Sequence, residues 1–344
     1  MRTRSWVLNL VATVIATSAT VIVSAQEPQK QLPEKPAGST QENQPETKEI
    51  ADSIISCPTL LYLINVSVTD RDNRRIPGLT HQDFIIFEDG LEQQLAIWAH
   101  NDSPVNFSLA LNISDYEPLK LMSQQTVRSF VRQIRSTDAV TIPQIKASRE
   151  AVRDFAADKL KLESALRKIS FNDKAPLFDV IAEGIKYAQE NRQEQRKITV
   201  VITDGYSLSG AGSDRDAAYA ILREGAPVYF IILDDGHINS RLAIQSRVRQ
   251  TRALLTRLAE ISGGLALVVK SEGEISAATE QIIHRLNNQY AVGYYPTNDK
   301  FDGSFRYVNV TVMPKDKRRV KVFAPLGYYA IDPEKISEEK FNDR

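Results

Sequence analysis

Apolar and polar residues alternate from Ile64 to Thr69 within LYLINVSVTD, Leu61 to Asp70, and this period of two predicts a half-buried β-strand. The next stretch, RDNRRIPGLTHQDFIIFEDG, supplies a turn, a short Leu-Thr-His-Gln-Asp-Phe segment, a strand over Phe84 to Phe87 and a Glu-Asp-Gly turn. With one more strand in Leu91 to Trp98, residues 54–103 are expected to form a small β-rich flanking unit. The pattern then changes. Strands are expected at Phe107 to Ile113, Ala139 to Ile145, Ile198 to Thr203, Val228 to Leu233 and Leu265 to Val269, mostly apolar segments of the kind covered on both faces. Between them apolar residues recur at helical spacing: Val127, Phe130, Val131 and Ile134; Leu160, Leu166 and Ile169; Phe178, Ile181, Ile185 and Ala188; Leu254, Leu255, Leu258 and Ile261. Gly263-Gly264 ends the last of these stripes, and a final helix is expected from Glu274 to Asn288.

Strands alternating with amphipathic helices over residues 104–288 predict an α/β domain, a doubly wound, mostly parallel sheet with helices on both faces. After it the period returns to two in Tyr290 to Tyr295, Tyr307 to Met313 and Val320 to Ala324. Three such strands are too short to build a core alone. Residues 289–330 are therefore expected to join the edge of the central sheet and pack with the earlier β-rich unit as a second layer, leaving a polar tail at 331–344.

The N-terminus changes the picture of where this domain works. Arg2 and Arg4 precede a mostly apolar stretch from Trp6 to Val23 that closes on Val-Ser-Ala, the form of a secretory signal peptide cleaved after Ala25. An uncleaved membrane anchor is the alternative, and the only route to a membrane that the sequence offers. Residues 26–53, rich in Gln, Glu, Lys, Pro, Ser and Thr, lack the apolar surface to offset ordering entropy and read as a disordered spacer. A secreted or cell-envelope location is expected.

Charge and residue inventory mainly exclude. The 43 basic and 43 acidic residues cancel, so no overall field favours nucleic acid. Cys57 is the only cysteine, which rules out an internal disulfide or a cysteine zinc cluster. His81, His100, His237 and His284 fall at no two-histidine metal spacing. Ser207 to Gly212 lacks the Lys-Ser/Thr of a phosphate loop, and no Gly-x-Ser-x-Gly elbow occurs, so nothing names a nucleophile with its base. The chain reads as a non-enzyme.

Candidate chemistry lies at two strand ends. ITVVITDG, Ile198 to Gly205, delivers Asp204 to the C-terminal end of a buried strand, and FSLALNISDY, Phe107 to Tyr116, ends in an Asn-x-Ser-x-Tyr loop. Open α/β sheets place their ligand sites at such ends. Together with VSVTDRDNRRIPGLTHQDFIIFEDG, LFDVIAEGIKYA, YAVGYYP and LGYYA, these motifs resemble the von Willebrand factor type A family, and in particular bacterial secreted relatives of that domain, over Leu60 to Ala330.

That resemblance implies a metal-ion-dependent adhesion site in which Asp-x-Ser-x-Ser, a Thr and a later Asp hold Mg²⁺ through oxygens. Here Asn112 stands for the first Asp, Ser114 matches, Tyr116 replaces the second Ser, Ala175 takes the Thr position and Asp204 matches. The site is thus read as degenerate, with Asn112, Ser114 and Asp204 as the remaining metal ligands and Mg²⁺ binding weakened by Asn112, Tyr116 and Ala175. The expected role is protein binding or adhesion, through loops carrying Asp115, Tyr116, Ala175 and Tyr206. A scaffold of the cell envelope acting through its terminal β-strands is the alternative.

Overall fold

The computed structural model describes residues 60–74, 76–143, 152–153, 164, 166, 176–189, 196–205, 214–236 and 242–332. The expected signal peptide and spacer, Cys57, most of the Leu160 to Ile169 stripe and the tail beyond Asp332 lie outside them. Four strands come first: β1 (Tyr62–Thr69), β2 (Phe84–Glu88), β3 (Leu91–Gln93) and β4 (Leu95–His100). The central block follows as β5 (Val105–Asn112), α1 (Glu117–Gln133), β6 (Ala139–Ile142), β7 (Val152–Arg153), α2 (Leu177–Gln189), β8 (Arg196–Thr203), α3 (Asp214–Glu224), β9 (Val228–Leu233), α4 (Leu242–Ser262), β10 (Ala266–Val269) and α5 (Glu272–Asn287). The chain ends with β11 (Gln289–Tyr294), β12 (Phe305–Val312), β13 (Lys321–Phe323) and β14 (Gly327–Tyr329).

The central sheet runs β10-β9-β8-β5-β6-β7, parallel throughout except for β7. This is the doubly wound α/β arrangement that the alternating pattern predicts. On one face Phe107, Leu109, Val200 and Ile231 meet Leu119, Val127 and Phe130 of α1 and Ile275, Ile282 and Leu286 of α5. On the other, Ala110, Val201 and Phe230 meet Ile181 and Ile185 of α2, Ile221 of α3 and Leu255 and Leu258 of α4. Helix α2 lies close: a Cβ on Gly184 would stand 3.0 Å from both Ala110 and Thr199 of the sheet. Small residues on β5 make room for that approach.

The N- and C-terminal flanking strands pack with one another, as expected, but do not extend the edge of the central sheet. They form two antiparallel four-stranded sheets, β13-β1-β11-β4 and β14-β12-β2-β3, each mixing strands from both ends of the chain. Neither pairs with the central sheet. Ile64, Val66, Val68, Phe84, Ile86, Val292, Val308 and Val310 give them a hydrophobic core of their own, because N- and C-terminal strands each contribute the half the other lacks. The single strand expected over Leu91 to Trp98 is broken after Gln93, so that β3 stays with β2 while β4 crosses to β11. Gln93 holds this corner, its Oε1 accepting from the Thr297 backbone N–H at 3.0 Å and hydroxyl at 2.8 Å.

The contacts that join the two cores gather at the N-terminal ends of the parallel strands. Arg196, at the start of β8, donates to Ser103 O (3.1 Å), Leu286 O (2.8 Å) and Gln289 Oε1 (3.0 Å). Burial, together with the Arg135 charge, pulls its guanidinium down to about 10. Close backbone packing seals the other side: Leu326 N–H donates to Ile261 O at 2.9 Å, and a Cβ on Gly263 would stand 2.9 Å from Pro325 N. Gly263 also adopts a φ of 77°, so both space and conformation call for glycine there.

A buried carboxylate ties the two flanking sheets. Glu88 Oε2 accepts from the hydroxyls of Tyr294 (2.6 Å) and Tyr328 (2.9 Å), and Tyr62 stacks on Tyr328 with ring centroids 3.9 Å apart. Burial first, then the bond to Glu88, pushes the Tyr294 phenol far above the ordinary tyrosine range. Tyr294→Phe is therefore expected to lower stability by about 1–3 kcal/mol in urea titrations, since Glu88 stays buried with one donor fewer. The pH dependence has a definite sign. The unfolded chain releases its tyrosine protons near ~10 while the folded one holds them, so stability is complete below that pH and falls above it. Tyr294→Phe should flatten that alkaline decline.

Candidate functional site

The chain leaves β5 toward β6 on one side and returns to β8 on the other, so the order reverses between β5 and β8. A crevice opens outside the C-terminal ends of strands at such a switch point. β5 and β8 are paired from Val105 with Arg196 to Asn112 with Thr203, which sets their last residues side by side. Asn112, Ser114 and Asp204, separated by ninety residues in sequence, are thereby brought together.

Their polar atoms are engaged with one another. Asn112 Oδ1 accepts from the Thr203 hydroxyl at 3.0 Å, the same hydroxyl oxygen accepts from Gly205 N–H at 3.0 Å, and Asp204 N–H donates to Asn112 O at 3.3 Å. Asp204 Oδ2 accepts from Ser114 N–H at 2.8 Å, clasping the loop after β5 to the end of β8. Gly205 turns the chain away at a φ of 69°, a conformation that costs other residues roughly 1–2 kcal/mol. Asn112 and Asp204 are buried, and the Ser114 hydroxyl is buried with no hydrogen-bond partner among the described residues.

Around this clasp lies a more exposed rim. Tyr116 precedes α1, its backbone N–H donating to Ser114 O at 2.7 Å and its carbonyl accepting from Leu119 and Lys120. Partial burial, then the charge and hydrogen bond of the Asp235 carboxylate, raise the Tyr116 phenol above its ordinary range. Asp115 is exposed and pairs with Lys120, which also lies 3.9 Å from Glu117. Asp234 meets Arg252 of α4 at 2.6 Å and accepts from Gly236 N–H at 3.2 Å in the turn after β9. The link from Tyr116 to Asp235 bridges two loops 119 positions apart in the sequence numbering, roughly two thirds of the central block; strand ends at one sheet edge are its only signal in the sequence. Ala175 and Tyr206 lie outside the described residues.

The donor set bears on a metal. It offers one carboxylate already accepting an N–H, one amide oxygen already accepting an O–H, and one hydroxyl. Mg²⁺ is ordinarily held through one or two carboxylates with near-octahedral oxygens, and a phenol stands where a short hydroxyl would serve. The residues present do not fit tight Mg²⁺ binding. Among the described residues no three His, Cys, Asp or Glu side chains are grouped to hold a metal. His100 Nδ1 lies 2.9 Å from Asp102, and His284 lies on α5 beside Asn288; His81 opens a short 3₁₀ turn. No helix among the described residues is long and apolar enough to cross a membrane.

No protein-family model and no curated protein matches the chain. Solved structures with a similar chain path include the pilus adhesin SpaC of Lactobacillus rhamnosus GG, at 11% identity and a TM-score of 0.42, covering 74% of this chain and 47% of that one. Another is an aerotolerance-related membrane protein of Bacteroides fragilis, at 19% identity and 0.40, covering 52% and 98%. A von Willebrand factor type A protein of Catenulispora acidiphila matches at 10% identity and 0.41, covering 78% and 63%. The chain spans about half the length of the adhesin. These are likenesses of chain path; the α/β fold itself stands on the strand order described above.

Titration calorimetry with Mg²⁺ and Mn²⁺ is expected to give no saturable heat for the wild-type chain. Asn112→Asp places a second carboxylate beside Asp204, and two neighbouring acids in a buried crevice favour a cation. That variant should melt lower than wild type without metal and gain stability with Mg²⁺; thermal melts with and without the ion check both.

Proposed function

We propose that the chain is a secreted or envelope-associated protein-binding module of von Willebrand A type, and that its contact surface is the loop cluster at the C-terminal edge of the central sheet. The observation that carries this reading is the Asn112, Thr203, Ser114 and Asp204 clasp at the switch point. The clasp spends Asn112 Oδ1 and Asp204 Oδ2, two of the oxygens that the family resemblance would assign to a shared metal, on internal hydrogen bonds, and leaves only the Ser114 hydroxyl unpartnered among the described residues. Recognition then falls to the rim, where the exposed Asp115 and Glu117 stand beside the half-buried pair of the Tyr116 ring and the Asp235 carboxylate, and proceeds without a metal ion. The flanking strands brace the opposite end of the sheet, so the rim is left for a partner. We assign the chain no catalytic role, the sequence naming no nucleophile with its base.

A second reading has its own observation. Tyr219, Tyr329, Phe305 and Tyr307 form a chain of ring contacts, at centroid distances of 4.8, 5.2 and 4.8 Å, reaching from α3 across β14 to β12. Tyr219 and Tyr307 are exposed, which suits an envelope scaffold that works through its terminal strands.

The two readings separate in one assay. Retention of the purified chain on cell-envelope preparations should survive EDTA, fall at least tenfold in the double variant Asp115→Lys/Asp235→Lys, and persist in Tyr307→Glu. Retention abolished by Tyr307→Glu and unchanged by the rim charges would favour the scaffold and sink the rim. Loss on EDTA treatment would overturn the metal-free reading.

A further inference from the structure

At the end of the molecule opposite the clasp, a recess of about 30 Å³ opens between the end of β1, the last turn of α5 and β13. Two of its wall residues carry buried donors that meet no acceptor. Thr69, 2% exposed, has an unpartnered hydroxyl, and Arg285, 4% exposed, has unpartnered Nε and Nη2. Buried polar groups are nearly always hydrogen-bonded, and an unsatisfied buried cation is costlier still. The remaining Arg285 nitrogen is occupied: Nη1 donates to Gly264 O at 3.0 Å, and the Phe323 ring lies 3.3 Å below the guanidinium carbon. The guanidinium is thus fixed in plane by Phe323 and in rotation by Gly264. Nε–H and Nη2–H lie along one edge of that plane, the edge that takes two oxygens of a carboxylate or phosphate side by side.

The rest of the wall agrees with an anion. Asn73, Gln281 and His284 add polar groups and no wall residue is acidic; Lys321 Nζ, which donates to Arg71 O at 2.8 Å, also reaches Asn73 Oδ1 of the wall at 3.4 Å. A neighbouring cleft of about 250 Å³ shares Arg285 but contains Glu260, which disfavours an anion there. By the same measure one water needs about 10–15 Å³, so the recess has room for a two-oxygen group. We propose that this recess binds an oxyanion of carboxylate or phosphate type, clamped edge-on by Arg285 with the Thr69 hydroxyl as a third donor. It lies at the seam of the two cores, so its ligand stabilises the joint between them.

The test is thermal melting of the full chain in sodium phosphate, sodium acetate and sodium chloride at matched ionic strength. A saturable rise of roughly 2–4 °C is expected in phosphate or in acetate and not in chloride, the salt that acts assigning the class. Arg285→Lys keeps the charge but removes the two-donor edge, and Thr69→Val keeps the shape but removes the hydroxyl; each should shift the midpoint of that rise by about tenfold or more. Thr69→Val alone decides if Arg285→Lys does not fold. A rise that chloride reproduces, or a midpoint that Thr69→Val leaves unchanged, overturns the proposal. So does a crystal grown in phosphate that shows only a water between Thr69 and Arg285.

Discussion

Parallel pairing of β5 with β8 is the constraint on which the rest depends. It joins strands separated by a long excursion through α1, β6, β7 and α2, and its register sets Asn112 opposite Thr203 and Val105 opposite Arg196. The first of these pairs begins the crevice. The second begins the seam with the flanking strands. A slip of one residue would exchange the faces of every side chain along β8 and dissolve both ends together. Apolar residues on both faces of each strand, packed against α1 and α5 on one side and α2, α3 and α4 on the other, hold that register.

The two ends of the sheet use buried polarity for different purposes. At the N-terminal end, charged side chains are spent on backbone carbonyls: Arg196 reaches Ser103 and Leu286, Arg285 reaches Gly264, and Arg135 reaches Asp102 and Ser103 while pairing with Asp138. The two cores themselves are linked by Arg196 donating to Gln289 of β11 and by Arg285 stacked on Phe323 of β13, and a charged donor that loses its acceptor while buried costs several kcal/mol. At the C-terminal end the polar groups are short, and each holds a loop rather than a domain. A single carboxylate, Asp204, fastens the β5 loop. Stability is concentrated at one end, and loop chemistry at the other.

The Glu88 cluster shows the same division inside the flanking unit. Its carboxylate is supplied by β2, its hydroxyls by β11 and β14, so neither sheet completes the group alone. A core drawn from both ends of the chain leaves the central block as an insertion between them. The α/β domain is thus held at both its entrance and its exit by one β unit, which explains why the joining contacts collect where β4 enters and β11 departs.

Local sequence determined the elements because hydrophobic period reports burial directly. Runs covered on both faces became β5, β8 and β9, helical stripes became α1, α2, α4 and α5, and alternating stretches became β1, β11 and β12. The Asp204 and Asn112 strand ends were legible for the same reason, since an apolar run that stops at a polar loop marks the end of a buried strand. What remained hidden was pairing between distant segments. Nothing local distinguishes a strand that extends a parallel edge from one that closes a separate antiparallel sheet, so β11 to β14 were expected to reach the edge of the central sheet as well as to pack with β1 to β4, and only the second holds. The break after Gln93, the bond from Tyr116 to Asp235 and the meeting of Thr69 with Arg285 likewise belong to tertiary structure alone. Each depends on partners more than a hundred residues away, and only the packed chain brings them together.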